Sequence, residues 1–385
     1  MKRRKVCVVI TARPSYARIK TALLAIKDHS NLKLQLVLAG SALLDRYGNA
    51  SKIIENDGFK VNRKVFNILE GDTSISMAKS TGLAIIELSS VFESLKPDVV
   101  ITIADRFETI ATSIAASYQN IPLAHIQGGE VTGNIDEKVR HANTKLADIH
   151  LVATESARQR VIKLGEREET VIKTGCPSMD IAREVFENSN YKFDPILKYG
   201  GVGREIDLTD GYLVVLQHPV TTEFEKSKEQ ILITLQAIME LDIPTFWFWP
   251  NVDAGSDGTS KGIRYMRENN DLSKIHFFKN LEPEDFLRLL KKSNCLIGNS
   301  SAGIRESAFL GVPVVNIGSR QNERERAINV ISVAHDKNEI KKAILKQLSN
   351  GHYESNLLYG DGYAGQKIAN TLATCELNHN KTITY

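Results

Sequence analysis

"KVCVVITARPSYARIKTALLAIKDH", Lys5 to His29, decides the fold. Val6–Ile10 is apolar at every position rather than at alternate ones, the mark of a strand covered on both faces. From Ser15 onward the apolar residues fall at Ile19, Ala22, Leu23 and Ile26, which is helical spacing. A buried strand running straight into an amphipathic helix is the repeating unit of a parallel sheet. The unit recurs. "LKLQLVLAG", "PDVVITIAD", "IPLAHIQGG" and "IHLVATE" read as further strands, with "TSISMAKSTGLAIIELSSVFESL" and "ETIATSIAASYQN" as helices between them. The expected class is α/β, with a doubly wound parallel sheet.

The pattern stops in the polar stretch "EVFENSNYKFDPILKYGGVGREIDLTDG" and then starts again. "YLVVLQHP", "PTFWFWPN", "KIHFFKN", "CLIGNSS" and "VPVVNIGS" read as strands of a second sheet, separated by helical segments such as "EKSKEQILITLQAIMELD". A chain of 385 residues suits two cores better than one. The division expected is 1–174 and 175–361, with the helical stretch 362–385 crossing back to the first half.

Composition narrows the function classes. The chain is 42% hydrophobic and 25% charged, with net charge +3, an ordinary globular balance. Only "KRRK" at Lys2 to Lys5 is strongly basic, so a nucleic-acid partner is not expected. No unbroken apolar run reaches membrane-spanning length, and the first strand is too short for a signal-peptide core. Cys7, Cys176, Cys295 and Cys375 are scattered without a CxxC pair, which fits buried free thiols and a cytoplasmic location.

In doubly wound sheets, ligands bind beyond the carboxyl ends of the strands. Polar residues crowd those places: Thr11–Arg13, Gly40–Ser41, Asp105–Arg106, Gln127–Glu130, Gln217–His218, Asn251–Asp253, Asn299–Ser301 and Gly318–Arg320. "GNSSAGIRE" leads from a strand into a helix, so Ser300, Ser301 and the backbone N–H groups that follow, Gly303 among them, suit an anion, while Glu306 suits a ribose diol or faces water. Arg13, Arg106 and Arg320 each follow a strand and could clamp a diphosphate, or each could hold a private ion pair. His218 and Asp253 stand at strand ends. "LAHIQGGEVTGNIDEKVRH" gathers Glu130, Asp136 and Glu137 between His125 and His141, with a neutral Gln127 among them. "GGVGRE" at Gly200 follows no strand, and "GSDGTSKG" at Gly255 lacks phosphate-loop spacing, so neither supports dinucleotide or kinase chemistry.

Taken together, "ARPSYARI", "GSALLDRYGN", "ADRFET", "HIQGGEVTGNIDEKVRHA", "GCPSMD", "LQHPVTT", "PNVDAGS", "IGNSSAGIRE", "GSRQ" and "YGDG" resemble the hydrolysing UDP-N-acetylglucosamine 2-epimerases of sialic acid synthesis. The resemblance runs from about residue 12 to residue 362. It implies a GT-B-like fold of two Rossmann-like domains, with the active site in the cleft and UDP held mainly by the second. It implies phosphate contacts from Ser300, Ser301 and Gly303, ribose contact from Glu306, and Leu281 beside the uracil. Arg13, Ser15, Arg106, His141, Asn251, Asp253 and Arg320 would complete substrate binding. Asp105 and Asp136 match the acid–base carboxylates, with Glu130, His218 and Gln127 in support.

The implied reaction removes the proton at sugar C2 while UDP leaves C1, then hydrates the resulting 2-acetamidoglycal. The products are N-acetylmannosamine and UDP, and no metal or redox cofactor is called for. Gln127 departs from the Glu of many relatives and cannot serve as a base. That leaves open a 2,4-diacetamido sugar nucleotide of legionaminic acid synthesis, a GT-B glycosyltransferase, and a catalytically silent binder of sugar nucleotide. The family also implies a homodimer or homotetramer. Arg264 and Arg267 in "SKGIRYMRE" match a CMP-sialic acid feedback site of the vertebrate relatives, although a solvated basic face is the simpler account of them.

Overall fold

The computed structural model describes residues 3–44, 50–70, 73–104, 106–131, 135–188, 193–206, 211–250, 256–378 and 380–384. The chain divides into two compact units: Met1–Asp180 together with Tyr359–Tyr385, and Ile181–Leu358.

The first unit holds seven parallel strands: β1 (Arg4–Ile10), β2 (Leu32–Ala39), β3 (Val61–Val65), β4 (Val99–Ile103), β5 (Leu123–Ile126), β6 (Ile149–Val152) and β7 (Val171–Lys173). Their order is β3-β2-β1-β4-β5-β6-β7, so the winding reverses between β1 and β4. The connecting helices are α1 (Arg13–Asp28), α2 (Ala50–Asn56), α3 (Ser74–Leu95), α4 (Thr109–Tyr118), α5 (Ile135–Leu146) and α6 (Glu155–Lys163). The unbroken apolar character of β1 has a direct cause. Val6, Val8 and Ile10 pack with Ile19, Leu23 and Ile26 of α1 on one face, while Cys7 and Val9 pack with Leu88 and Phe92 of α3 on the other.

α3 bears on the expectation of no membrane span, which rested on unbroken apolar runs. Although Lys79 and Glu87 interrupt its apolar sequence, it is long and apolar enough, by length and composition, to cross a membrane. In the fold it lies on the sheet, burying Ser80, Ala84, Leu88 and Phe92.

The second unit holds β8 (Leu213–Leu216), β9 (Thr245–Phe248), β10 (Ile275–Phe278), β11 (Cys295–Gly298), β12 (Val314–Ile317) and β13 (Val330–Val333), all parallel, in the order β10-β9-β8-β11-β12-β13. α7 (Ser178–Glu187) leads into this unit, and α8 (Pro195–Tyr199), α9 (Ser227–Leu241), α10 (Ser256–Asn269), α11 (Pro283–Lys291), α12 (Glu306–Leu310) and α13 (Lys337–Asn350) follow in turn. Its core gathers Trp247 and Phe277 with Leu213, Val215, Ile297 and Val315.

The chain returns to the first unit through α14 (Ala364–Thr374), which packs along α1. Gly365 sits where a Cβ would lie 2.8 Å from the Thr21 carbonyl oxygen, so the two helices touch backbone to backbone. The Asp180 carboxylate accepts from the N–H groups of Ala364 at 2.8 Å and Gly365 at 2.7 Å, satisfying the start of α14. Beside it, Cys176 N–H donates to the Tyr359 carbonyl at 2.8 Å, and Gly175 and Gly360 meet so closely that a Cβ on either falls about 3 Å from the other's Cα. "GCPSMD" and "YGDG" are thus the two sides of one crossing point.

Residues beyond α14 are strapped down. Lys381 reaches the buried Glu166 carboxylate at 2.5 Å and the Ala147 carbonyl just past the end of α5, while Thr384 N–H donates to the Gly165 carbonyl at 3.0 Å. The four cysteines are free, as expected, but Cys375 is only half-buried.

Candidate active site

The reversal points of the two sheets lie after β1 and β4 in the first unit and after β8 and β11 in the second. These are where a doubly wound sheet opens a crevice for ligand. Arg13, Ser15 and Arg106 follow the first pair, and His218, Ser300 and Ser301 follow the second.

In the first unit the backbone itself is unusual. Ala104 and Gln127, non-glycine residues ending β4 and β5, both take left-handed conformations, with φ of 60° and 66°. Such strain persists only where neighbours over-determine it, and it clusters at functional sites. His125 supplies the restraint. Its ring is wholly buried and bridges the Ala104 carbonyl at 3.0 Å and the Thr144 hydroxyl at 3.1 Å, tying the end of β4 to α5. Burial lowers its pKa to about 4, so the ring is neutral near pH 7 and acts as a fixed brace.

The adjoining glycines are required by contact. A Cβ at Gly129, where φ is 74°, would lie 2.3 Å from the Ala157 carbonyl oxygen of α6. Gln127 is buried. Its side-chain N–H donates to the Cys176 sulfur at 3.0 Å, and its side-chain oxygen has no partner among the described residues. Glu130 is also buried, and its backbone carbonyl accepts from Arg140 at 2.7 Å. On α5, Glu137 takes Arg140 at 3.3 Å on one oxygen and His141 at 3.2 Å on the other, so His141 is committed within its own helix. Asn143 secures the helix by donating to the Thr109 hydroxyl at 2.8 Å and accepting from Ser113 at 2.7 Å. Asp105 lies outside the described residues. Asp136 belongs to the first turn of α5, and its side chain lies outside the description.

For Arg106 the structure shows an ion pair of the kind that the sequence left open beside the clamp. It pairs with Glu108 at 3.3 Å, and Glu108 is buried. Arg13 is half-buried at the start of α1, and Ser15 is buried one turn in.

In the second unit the organiser is Asn299, one residue past β11. Its side chain accepts from His218 N–H at 2.7 Å and donates to the His218 carbonyl at 2.8 Å. Its own carbonyl accepts from Arg320 at 3.1 Å and Gln321 at 2.8 Å. His218 is buried, and its pKa is lowered to about 3, first by burial and then by the Arg320 charge. It is therefore neutral near pH 7.

"GNSSAGIRE" differs from the helix expected. Ser300 caps a 3-10 turn over Ser301–Gly303, accepting from Ala302 N–H at 3.3 Å, and α12 begins only at Glu306. The break falls at Arg305, whose φ of −97° and ψ of −70° depart from helical values. Glu306 is thus the first residue of a five-residue helix, half-buried, with one carboxylate oxygen unpartnered among the described residues. Gly298 is forced: at φ 133°, a Cβ would lie 2.2 Å from the Leu216 carbonyl oxygen. Gly303 and Leu281 are buried. Asn251 and Asp253 lie outside the described residues. Arg264 and Arg267 belong to α10, and the Arg267 guanidinium covers the Phe277 ring at 5.4 Å, so packing accounts for one of the two. Sequence reasoning noted Asn299 only as a strand-end residue and gave no part to Glu108 or Cys176; Asn299 meets His218, and Cys176 meets Gln127, across long stretches of sequence.

Two parallel doubly wound sheets with polar strand ends at both reversal points define a GT-B-like α/β protein. The model of the UDP-N-acetylglucosamine 2-epimerase family matches residues 24–373, and the chain belongs to that family. It is 34% identical over 382 residues to the UDP-N,N'-diacetylbacillosamine 2-epimerase (hydrolyzing) of Legionella pneumophila, covering 97% of each chain. It is 32% identical to the GDP/UDP-N,N'-diacetylbacillosamine 2-epimerase (hydrolyzing) of Campylobacter jejuni, covering 86% of this chain and 84% of that one. It is 31% identical to the polysialic acid biosynthesis protein P7 of Escherichia coli, covering 92% of each. Among solved structures, the Neisseria meningitidis UDP-GlcNAc 2-epimerase bound to UDP-GlcNAc aligns with a TM-score of 0.74 at 20% identity, covering 96% of this chain and 99% of that one. The S. aureus MnaA–UDP structure aligns at 0.76 and 19%, covering 99% and 100%.

Proposed function

We propose that this chain is a hydrolysing 2-epimerase acting on UDP-N,N'-diacetylbacillosamine, releasing UDP and the free 2-epimerised diacetamido sugar. One observation supports that substrate over UDP-N-acetylglucosamine, which the sequence motifs first suggested: the relatives at 34% and 32% identity bear the diacetamido sugar in their names. A Neisseria meningitidis relative at 28% identity, named a UDP-N-acetylglucosamine 2-epimerase, keeps the mono-acetamido substrate as the rival.

In the proposed reaction a base takes the C2 proton, the C2–H electron pair forms the C1=C2 bond, and the C1–O bond breaks with its pair leaving on UDP. Water then adds its oxygen to C1, and a proton reaches C2 from the opposite face. The C2 proton is weakly acidic, so stabilising charge on departing UDP matters most. Arg320 supplies that charge, and neutral His218 contributes a hydrogen bond to the leaving group. Glu306 takes the ribose. Asp105 and Asp136 carry the two proton transfers, with Glu130 supporting.

The test offers each UDP-sugar separately in heavy water and follows products by proton NMR. Turnover of the diacetamido sugar with deuterium at C2, at higher kcat/KM than UDP-N-acetylglucosamine, is the expected result. Preference for UDP-N-acetylglucosamine reverses the substrate assignment, and no product from either sugar removes the epimerase reading. Asp105→Asn should lower kcat by about a hundredfold or more, the contribution of a positioned acid–base group.

A further inference from the structure

The tail beyond α14 has a built seat. Arg167 donates to the Thr382 hydroxyl at 2.8 Å, and Ile383 takes the space a side chain at Gly165 would need, where a Cβ would lie 2.5 Å from it. Lys381 turns inward. Its ammonium meets Glu166, which is buried and shared with Lys145 and His150, and it donates to the carbonyls of Thr144 and Ala147 at the carboxyl end of α5. Carbonyls at a helix end lack partners within the helix, and a cation there also meets the negative end of the helix dipole. Thr144 joins this strap to the site. Its carbonyl takes Lys381 at 3.3 Å, its hydroxyl meets His125 Nδ1 at 3.1 Å, and His125 Nε2 meets the Ala104 carbonyl at 3.0 Å. A carbonyl only accepts, so Nε2 carries the proton of the neutral ring, and the Thr144 hydroxyl donates to Nδ1. Consecutive hydrogen bonds thus run from the tail to Ala104, whose left-handed φ of 60° needs restraint and which immediately precedes Asp105. Asp136 stands in the first turn of the same α5.

We propose that Lys381 is a positioning residue for proton transfer: by fixing the carboxyl end of α5, it holds the backbone that carries Asp105 and Asp136. This rests on the epimerase reading and on those two carboxylates as its acid–base groups. Lys381 acts through α5 and His125 and has no part in holding sugar or nucleotide, so its loss falls on kcat and spares ground-state binding. A strap that only adds stability would leave the turnover of the folded enzyme alone.

Steady-state kinetics on the full chain, with whichever of the two UDP-sugars the wild type turns over faster, test this together with hydrogen exchange. Lys381→Met should lower kcat by about tenfold while KM and the UDP dissociation constant stay within about twofold, the split given by misplaced catalytic groups with binding intact. Lys381→Arg should restore most of the loss. Thr144→Val, which keeps the carbonyl and removes the hydroxyl, should show the same split. The double variant should lose little more than the worse single one, because both cut one line of contacts. Exchange should quicken in the last turn of α5 and at the Ala104 N–H, which donates to the Ile126 carbonyl, and stay unchanged in the second unit. Unchanged kcat in both single variants, losses that multiply in the double variant, or a loss that Lys381→Arg leaves unrescued would overturn the proposal. A wild type that turns over neither sugar removes the epimerase reading, whereas exchange at Ala104 that ignores Lys381→Met removes the tail's hold on that backbone, so the two failures are read separately.

Discussion

Gln127 and His218 show how far a residue's surroundings decide its chemistry. Gln127 is dry and lies against the Cys176 sulfur. A carboxylate there would be buried against a sulfur, and burying a charge is costly. Gln127→Glu should therefore lower the melting temperature at neutral pH rather than add a working base, which thermal unfolding of the two proteins would show. His218 titrates at about 3 when folded, against an ordinary value of 6.5. Between those values the unfolded chain binds the extra proton, so stability is complete above about pH 6.5 and falls as pH drops toward 3. His218→Gln should flatten that part of a stability-against-pH curve, with His125 accounting for part of what remains because its pKa is lowered in the same direction. The variant should lose turnover without shifting the acid limb of the pH–rate profile, since the wild-type ring carries no charge to lose there.

Elements were legible in proportion to their burial. β1, β2, β4, β5 and β6 announce themselves as apolar runs. The edge strands β3, "VNRKV", and β7, "VIK", do not, nor does β13, "VISV", because an edge needs only one covered flank and takes short or charged sequence. At the site, the strand-end positions could be read from sequence, whereas the pairing of Arg106 with Glu108 and the 3-10 turn after Ser300 could not. Both depend on side-chain and backbone geometry that periodicity does not encode. α5 is a second case. Its composition suggested a catalytic cluster, but its placement rests on partners far away in sequence: Thr109 and Ser113 of α4, which bond Asn143, and Lys381 just past its carboxyl end. Lys381→Ala leaves the buried Glu166 with Lys145 and His150 but without its third partner. It should cost about 1–3 kcal/mol in urea unfolding, with partial recovery in Lys381→Arg.

At the scale of the molecule, the two units differ in how the chain builds them. The second is one continuous stretch, Ile181–Leu358, whereas the first needs Tyr359–Tyr385 to supply α14. Gly360 belongs to that return, and its φ of 126° and its contact with Gly175 leave no room for a side chain. Gly360→Ala should destabilise the first unit by more than about 1 kcal/mol, measurable by hydrogen exchange in β1 and α1. The crossing also orders events in time. Ribosomes deliver residues 359–385 only after the whole of the second unit has emerged, so the first unit, although synthesised first, holds an uncovered flank of α1 until α14 arrives. The later-made half can finish folding before the earlier one, and the waiting surface around Thr21 and Ala22, where Gly365 of α14 later seats, is where a nascent chain of this protein most needs a chaperone's cover.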